Sequence, residues 1–295
     1  MKYKMKRINL LLVMLVTVIF VSNAQLLWKI TGKGLKEPSY IFGTHHLIPI
    51  QFLDSVPGLF PAFNSAKTIV SEVALNNIDA TSKIQKSALL PDTVSLKNLL
   101  SSIDYDFVNK EITNLLRIDV NNINRMHPSL ITTLYELELY KQYVHFDENT
   151  KSDSYFQIVA FQKNIPVLGL ETVDKQIELL FPKDFKKEAQ TLIESIRKKD
   201  ELIIRMKEMN QFYRAGDLNG LAKLSQQSNK QFNVTEEENA VLLDNRNLDW
   251  VKQIPGLMKK NSCFIAVGAL HLPGEKGLIS LLRKEGYQVK PVIIK

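Results

Sequence analysis

The chain has 295 residues, of which 45% are hydrophobic and 23% are charged, with 12 glycines and 11 prolines. These proportions are those of an ordinary globular protein, and they exclude the disordered, collagen-like and low-complexity classes. The one cysteine, Cys263, excludes an internal disulfide framework and a cysteine-rich zinc site. Because Cys263 opens an apolar run, we expect it to be buried and inert.

The first 24 residues have the layout of a secretory signal peptide. Four basic residues precede a mostly apolar run over 8–21, and Ser22-Asn23-Ala24 provides small residues at −3 and −1 of a cleavage site. The run is shorter than the roughly 20 residues of a membrane-spanning helix, and no cysteine near the cut would carry a lipid anchor. We therefore expect an exported protein, periplasmic or extracellular, with no stable membrane span after cleavage.

The net charge argues against a polyanionic partner. Lysine and arginine number 38 against 31 aspartates and glutamates, a formal charge of +7, and four of the basic residues belong to the signal peptide. The remaining excess is too small to favour binding of nucleic acid or of an anionic lipid surface. A peptide or a small molecule is the expected substrate class.

Short β-type runs lie near both ends of the mature chain and once in its middle. The first two, 27–30 and 39–42, flank Gly32, Gly34 and Pro38 and predict a β-hairpin. Several later runs are almost continuously apolar, as expected for strands covered on both faces. These runs are 68–73, 166–170, 263–268 and 288–294.

Between these runs the apolar residues follow helical spacing. Val108, Ile112, Leu115 and Leu116 form one stripe of a helix, and Asp217 is a plausible N-cap of a later one. We predict an α/β (or α+β) fold, with a central mixed sheet formed by strands from both ends of the chain. Residues 25–295 would be a single domain, and mostly helical insertions at about 76–163 and 174–258 would form a cap.

Two of the five histidines occur in the same local setting. Gly43-Thr44-His45-His46 and Gly268-Ala269-Leu270-His271 each place Gly-x-x-His after an apolar strand. The carboxyl ends of strands are where open α/β sheets bind ligands. Because neighbouring strand residues point to opposite faces, His45 and His46 should differ in role, and the register selects His46 as the counterpart of His271. The alternative is that each is a hydrogen-bonded loop histidine.

Two carboxylates also follow strands. Glu72 comes after the run 68–70, and Glu171 follows 167–170. Two imidazoles and a carboxylate would suit a zinc- or manganese-type site with an open position for water, and a glutamate could act as general base. The alternative for each is a solvated charge at the start of a helix. Surface or capping roles are expected for His127, His145 and Asp153.

The motifs, in this order, resemble those of the TraB/GumN family. That family includes the Tiki-type proteases and is distantly related to erythromycin-esterase-like and haem-binding ChaN-like proteins. The resemblance covers nearly the whole mature chain. Its blocks are 27–30, 40–46, 70–72, 167–172 with Gln176, 242–247 with Trp250, and 266–277 with 281–282 and 286–287.

The resemblance implies a metal-dependent peptidase. His46 and His271 would be the metal-site histidines, with Glu72 as the acidic partner. Arg246 and Asn247 match the family's Arg-Asn pair and would position substrate or steady an oxyanion, although Arg246 could equally form an exposed salt bridge.

Glu171 is a further candidate for the same site, as a ligand or as a residue that supports one. Manganese or cobalt is implied by the Tiki resemblance, and nothing in the residues distinguishes these metals from zinc. His45 departs from the family, which commonly has an apolar residue there, and could add a ligand.

Three functions remain open. The first is an exported metal-dependent hydrolase, specifically a peptidase. The second is a binding protein without chemistry, which sequesters a peptide, as is described for TraB-like members, or holds haem through a histidine or tyrosine. The third is a metal-free esterase with a histidine as general base. Family membership does not supply a substrate.

Overall fold

The computed structural model describes residues 25–74, 78–144, 152–232 and 234–293. The predictions for the signal peptide, His145 and the Asp153 side chain lie outside what it describes. Within these ranges the chain is an α/β fold in which helices surround a mixed sheet, and strands from both ends of the chain contribute to that sheet. The predicted fold class is confirmed.

The sheet has six strands in the described part of the chain, in the order β4-β3-β5-β2-β1-β6. Their bounds are β1 (Leu27–Thr31), β2 (Ser39–Thr44), β3 (Thr68–Ser71), β4 (Val167–Gly169), β5 (Cys263–Gly268) and β6 (Gln288–Pro291). β1 pairs antiparallel with β2, as the predicted hairpin, and also with β6. β4, β3, β5 and β2 run parallel, so their carboxyl ends share one edge.

Helices fill the segments between the strands. Their bounds are α1 (Leu59–Ser65), α2 (Ile78–Ser87), α3 (Leu96–Leu99), α4 (Ser102–Leu116), α5 (Pro128–Val144), α6 (Ser152–Gln162), α7 (Val173–Leu180), α8 (Phe185–Arg197), α9 (Lys199–Arg214), α10 (Leu218–Gln231), α11 (Glu236–Asn239), α12 (Asn245–Lys260) and α13 (Leu278–Lys284). The Asp217 carboxylate accepts a hydrogen bond from the Gly220 amide at 2.8 Å, which confirms it as the N-cap of α10. None of the described helices is both long and apolar enough to cross a lipid bilayer.

Two hydrophobic cores hold these elements. One surrounds the sheet and includes the stacked rings of Phe42 and Phe264 together with Cys263, whose burial raises the pKa of its thiol to about 11. The other lies among helices and joins side chains such as Val108 of α4, Tyr135 of α5 and Leu192 of α8. We call α4, α5, α8 and α9, which share this second core, the cap helices. The single-domain assignment and the insertion bounds stay predictions.

The surface role expected for His127 is wrong, although the capping role holds. His127 is only 1% exposed, and its Nδ1 accepts a hydrogen bond from the Ser129 amide in the first turn of α5. Its Nε2 lies 3.0 Å from the Pro182 carbonyl oxygen, and burial lowers the pKa of its ring. The ring is buried because its two nitrogens are matched by backbone groups.

Candidate functional site

The predicted site residues lie together at the edge of the sheet where the four parallel strands end. The strand register pairs Thr44 of β2 with Gly268 of β5, and Ser71 of β3 with both Ala266 and Gly169. The residues that follow each strand therefore emerge side by side at one edge of the sheet. In the order of the strands these residues are Glu171, Glu72, His271 and the pair His45 and His46.

The glycines of the two Gly-x-x-His motifs allow these loops to pack closely. A Cβ atom on Gly43 would lie 2.9 Å from the Leu272 Cδ1 atom and 3.0 Å from the Ala269 Cα atom. A Cβ atom on Gly268 would lie 3.3 Å from Oε1 of Glu72. The first glycine thus lets one motif pack against the other, and the second gives the carboxylate access to the backbone.

Arg246 lies at the centre of the site. Its guanidinium grips Glu171 with two hydrogen bonds, from Nε to Oε2 at 3.1 Å and from Nη2 to Oε1 at 2.6 Å. Nη2 also donates to Oε2 of Glu72 at 2.5 Å, and Nη1 lies 3.1 Å from Nε2 of His271. Arg246 is only 8% exposed, so it is a buried bridge among three site residues rather than a surface salt bridge.

The helix that carries Arg246 begins with an irregular turn. Residues 240–244 form a π-helical turn before α12, a feature that often marks functional sites. The Leu242 carbonyl in this turn accepts a hydrogen bond from Nη1 of Arg246 at 3.1 Å. One turn later, the Trp250 ring lies 4.6 Å from the guanidinium carbon and 4.4 Å from the centroid of the His271 ring. The indole therefore packs against both groups and fixes their positions.

Asn247 fixes the tautomer of His271. Its Nδ2 donates to the carbonyl oxygens of His271 at 3.2 Å and Lys276 at 2.9 Å, so its Oδ1 is the atom that faces Nδ1 of His271, at 2.8 Å. An oxygen acceptor requires the proton on Nδ1, which leaves the lone pair of the neutral ring on Nε2. The amide is held by two carbonyls and is 2% exposed, so it acts through the His271 ring.

Glu72 and His271 form a facing pair. Oε1 of Glu72 accepts a hydrogen bond from the Gly268 amide at 2.8 Å and lies 3.9 Å from Nε2 of His271. Burial lowers the pKa of His271 to about 4, against the attraction of Glu72, so the ring is neutral at pH 7. Burial works to raise the pKa of Glu72, but electrostatic interaction with His271 and Arg246, together with hydrogen bonds from the Gly268 amide and Arg246, lowers it below its ordinary value.

A cavity of about 610 Å³ lies between this edge and the cap helices. Its wall is mostly apolar, with Leu137, Leu202, Met206, Met209 and Leu221 among the lining residues. The predicted residues that reach it are His46, His271, Glu72 and Arg246, together with His45. Glu171 borders a separate hollow of about 410 Å³, on the other side of Arg246.

His45 and His46 both line the cavity, contrary to the expectation that they point to opposite faces. Strict alternation applies within a strand, and β2 ends at Thr44, so both residues lie in the turn that follows. His46 is exposed and His45 is partly buried. The His45 ring lies 5.1 Å from the Tyr213 ring, and its Nδ1 accepts a hydrogen bond from the Leu47 amide at 3.0 Å.

The cap helices add polar residues that could not be predicted from sequence. Glu136 of α5 and Arg205 of α9 line the same cavity as the histidines. Each is a charged residue within a long helix, and charged residues in helices are usually solvated. Only the packing of the cap helices over the sheet edge distinguishes these two residues from the other charges on the same helices.

The donor types at the sheet edge suit a divalent metal. Neutral His271 presents a lone pair on Nε2, and its other nitrogen donates to an oxygen, as in most metal-binding histidines. The Glu72 carboxylate lies beside Nε2 of His271, although Nη1 of Arg246 also contacts Nε2. Among the described residues, no three His, Cys, Asp or Glu side chains form a ready-made metal cluster.

Comparison with known proteins identifies the family. No curated protein and no solved structure matches the chain. Residues 26–291, which include every strand and every site residue described above, match the TraB/PrgY/gumN family. Glu72, Arg246 and His271 lie in three of the blocks that carry the resemblance, and all three fall within the matched range. The chain is therefore a member of the TraB/PrgY/gumN family.

Proposed function

We propose that this protein is a metal-dependent hydrolase that cleaves peptides bound in the cavity. The observation that carries the proposal is the facing pair of Glu72 and His271. A carboxylate with a lowered pKa and a neutral imidazole with an outward lone pair lie 3.9 Å apart in the wall of a mostly apolar cavity. A proton acceptor beside a lone-pair donor is what the activation of water requires.

Each residue at the sheet edge has a role in this proposal. Glu72 accepts the proton of the attacking water, since its carboxylate stays ionised at neutral pH. The Arg246 guanidinium, already directed at two carboxylates and the imidazole, stabilises negative charge that develops on the substrate oxygen. Glu171 holds Arg246 through the paired hydrogen bonds. Asn247 keeps the proton of His271 on Nδ1 and so leaves the lone pair on Nε2.

His46, His271 and Glu72 would hold a divalent cation of the manganese, cobalt or zinc class. Such an ion, when bound, lowers the pKa of its water towards about 7. Nε2 of His271 cannot serve a cation and Nη1 of Arg246 at once, so metal binding requires that this hydrogen bond be given up. Arg246 would keep its paired contact with Glu171 through Nε and Nη2.

The cavity supports a peptide as the substrate class. Its volume of about 610 Å³ lies within the roughly 300–1,000 Å³ of typical ligand sites. Leucine and methionine side chains form much of its wall, and methionine adapts readily to irregular apolar groups. Apolar side chains of a peptide would therefore be buried there while the backbone amide reaches Glu72 and His271.

A second candidate function is peptide binding without cleavage. The observation in its favour is the contact of 3.1 Å between Nη1 of Arg246 and Nε2 of His271, which engages the lone pair that a metal would use. If Arg246 kept this position with ligand bound, the cavity would retain a peptide and leave it intact. Haem held by a histidine or tyrosine of the cavity is a variant of this candidate.

Metal content distinguishes the two candidates. The mature chain, 25–295, is loaded separately with manganese, cobalt and zinc, and bound metal is measured by plasma mass spectrometry beside His46→Ala, His271→Ala and Glu72→Gln. We expect the wild type to bind nearly one metal ion per chain. The three variants should lose this metal, and the exposed control Glu208→Gln should keep it. A folded wild type that retains no metal, or variants that retain it, would overturn the metal-dependent mechanism.

A haem band in the visible spectrum of the purified protein would support the haem variant. Chelator-resistant hydrolysis, in contrast, would mean that Glu72 and His271 act without a metal. In that case the imidazole would be the general base. Each result therefore selects one of the three functions.

A further inference from the structure

The cavity has a second polar end, formed by the helices that cover it rather than by the sheet edge. Glu136 of α5, Arg205 of α9 and Ser228 of α10 line the cavity there. None of them takes part in the chemistry proposed for Glu72 and His271. A charged group in the wall of a mostly apolar cavity is unfavourable unless a partner or a ligand offsets it.

The Arg205 guanidinium is held in place by its neighbours. It donates to the Ser228 hydroxyl, and its carbon Cζ lies 4.0 Å from the centroid of the Phe232 ring. A ring against one face of the guanidinium leaves the N–H groups at its rim to make hydrogen bonds. Burial lowers the pKa of Arg205, although attraction from Glu136 and Glu201 raises it.

Glu136 does not fully offset this positive charge. Its Oε1 accepts a hydrogen bond from the Ser195 hydroxyl at 3.1 Å. Burial raises the pKa of Glu136, against the opposing effects of Ser195 and Arg205. Glu136 and Arg205 form no ion pair within 4.0 Å in the described part of the chain, so the guanidinium keeps N–H groups that an anionic ligand could engage.

The face of α9 that lines the cavity joins the two ends. Leu202, Arg205, Met206 and Met209 have the i, i+3, i+4, i+7 spacing of one helical stripe, and all four line the cavity. The stripe is apolar except for Arg205. A ligand that follows it would thus place apolar groups on Leu202, Met206 and Met209 and an anionic group at the arginine.

We propose that Arg205 is the specificity-determining residue of the site and binds the free carboxylate at the C-terminus of the peptide substrate. A planar guanidinium is the side chain best suited to grip a carboxylate with paired hydrogen bonds. The apolar stripe beside it then receives the side chains that precede that terminus. This inference rests on the proposed function, because it concerns how the same cavity selects its peptide.

The test compares matched peptides that differ only in the terminal group. A pool of short N-acetylated apolar peptides is prepared once with free C-terminal carboxylates and once with C-terminal amides. Retention and cleavage by the exported protein are measured by mass spectrometry for the wild type, Arg205→Gln, Arg205→Lys and Lys207→Gln. Lys207 is exposed on the same helix and does not line the cavity, so Lys207→Gln controls for the loss of one positive charge.

We expect the wild type and Lys207→Gln to retain the acids at least about tenfold more tightly than the amides, since hydrogen bonds to charged groups have that magnitude. Arg205→Gln should lower retention of the acids to the level of the amides while it leaves the amides unchanged, and Arg205→Lys should restore part of the preference. Thermal unfolding of each variant establishes that it is folded.

Several results would overturn the inference. Cleavage of both pools with no preference for the acids contradicts it and leaves the proposed function standing. Equal loss of acids and amides in folded Arg205→Gln assigns Arg205 a structural role instead. A preference for unacetylated peptides that is lost in Glu136→Gln means that this end binds an amino terminus. Binding of neither pool contradicts the inference and the proposed function together.

Discussion

Nδ1 of His271 lies 2.8 Å from Oδ1 of Asn247, and this contact determines which nitrogen of the ring carries the lone pair at the site. The amide cannot turn over, because its Nδ2 already donates to the carbonyl oxygens of His271 and Lys276. Asn247 is adjacent in the chain to Arg246, which contacts the opposite nitrogen of the same ring. The Arg-Asn pair therefore holds the imidazole from both sides.

Substitution of Asn247 tests the role of this contact. Asn247→Ala leaves Nδ1 of His271 and two backbone carbonyls without their partner, so we expect the free energy of unfolding to fall by about 2–4 kcal/mol. Any metal affinity or hydrolysis should fall by about 10- to 100-fold, as for other residues that orient a ligand. Urea unfolding and activity assays measure both. Asn245→Ala is the matched control, because Asn245 is exposed and lies two residues earlier, at the start of α12. Equal effects of the two variants would refute the role of Asn247 in orienting the His271 ring.

Among the charged residues of the site, substitution of Arg246 should lower the stability of the fold the most. Arg246→Ala leaves the carboxylates of Glu72 and Glu171 without their cation, so we expect a loss of about 3–5 kcal/mol in the free energy of unfolding. Arg246→Lys keeps the charge but loses the paired hydrogen bonds and should be intermediate. Denaturant titration measures the differences.

The control for Arg246 is Arg197→Lys. Arg197 is exposed and forms a single ion pair with Asp104, so its substitution should change stability by less than about 1 kcal/mol. An Arg246→Ala variant as stable as Arg197→Lys would show that the two carboxylates do not depend on the guanidinium.

Gly43 should tolerate no side chain. A Cβ atom there would lie 2.9 Å from the Leu272 Cδ1 atom and 3.0 Å from the Ala269 Cα atom, so Gly43→Ala should push the two Gly-x-x-His loops apart and destabilise the fold by about 1–3 kcal/mol. Gly256→Ala is the contrast, because beyond its chain neighbours and its own helix backbone no described atom lies within 4 Å of the added Cβ, and alanine favours the helix. Thermal unfolding should show a lower midpoint for the first variant only. A neutral Gly43→Ala would argue against close packing of the loops.

Stability should depend on pH through His271. Burial lowers its folded-state pKa to about 4 from the ordinary 6.5, so the unfolded chain binds a proton in that interval and the folded chain does not. The stability that this provides is present above about pH 6.5 and is lost as the pH falls towards 4. The loss should approach about 3 kcal/mol.

Urea unfolding of chelator-treated protein across this interval measures the effect. His271→Gln removes this titrating group and should reduce the dependence of the free energy of unfolding on pH between pH 6.5 and pH 4. An identical slope in the variant would mean that another group accounts for the dependence. His127 serves as a comparison, because burial lowers its pKa as well. Its contribution to the pH dependence of stability should therefore persist in His271→Gln.

The sheet and its site edge could be predicted from sequence because both depend on local patterns. Apolar runs marked the strands, and Gly43 and Gly268 marked where two of them turn towards the site. The positions of Glu72 and His271 followed from the rule that parallel strands end at one edge. The orientation of His45 did not, since alternation fails once a strand has ended.

The cap side of the cavity could not be predicted. Glu136 and Arg205 are separated in sequence from every motif, and they reach the cavity only because α5 and α9 pack over the sheet edge. Charged residues at helical spacing predict a solvated surface unless the packing of the helix is known. The sequence therefore contained the residues of the proposed chemistry, while the residue that we infer to select the substrate emerged from tertiary structure.

The most direct test of hydrolysis at the Glu72–His271 pair is the rate at which new amino termini form in a pool of apolar peptides. The measurement compares the metal-loaded wild type with Glu72→Gln and with Glu275→Gln, an exposed control outside the cavity. We predict cleavage by the wild type and the control, and a rate at least about 100-fold lower for Glu72→Gln, which removes the proposed proton acceptor and a proposed metal ligand together. Undiminished cleavage by Glu72→Gln, or none by the wild type, would contradict the proposed mechanism.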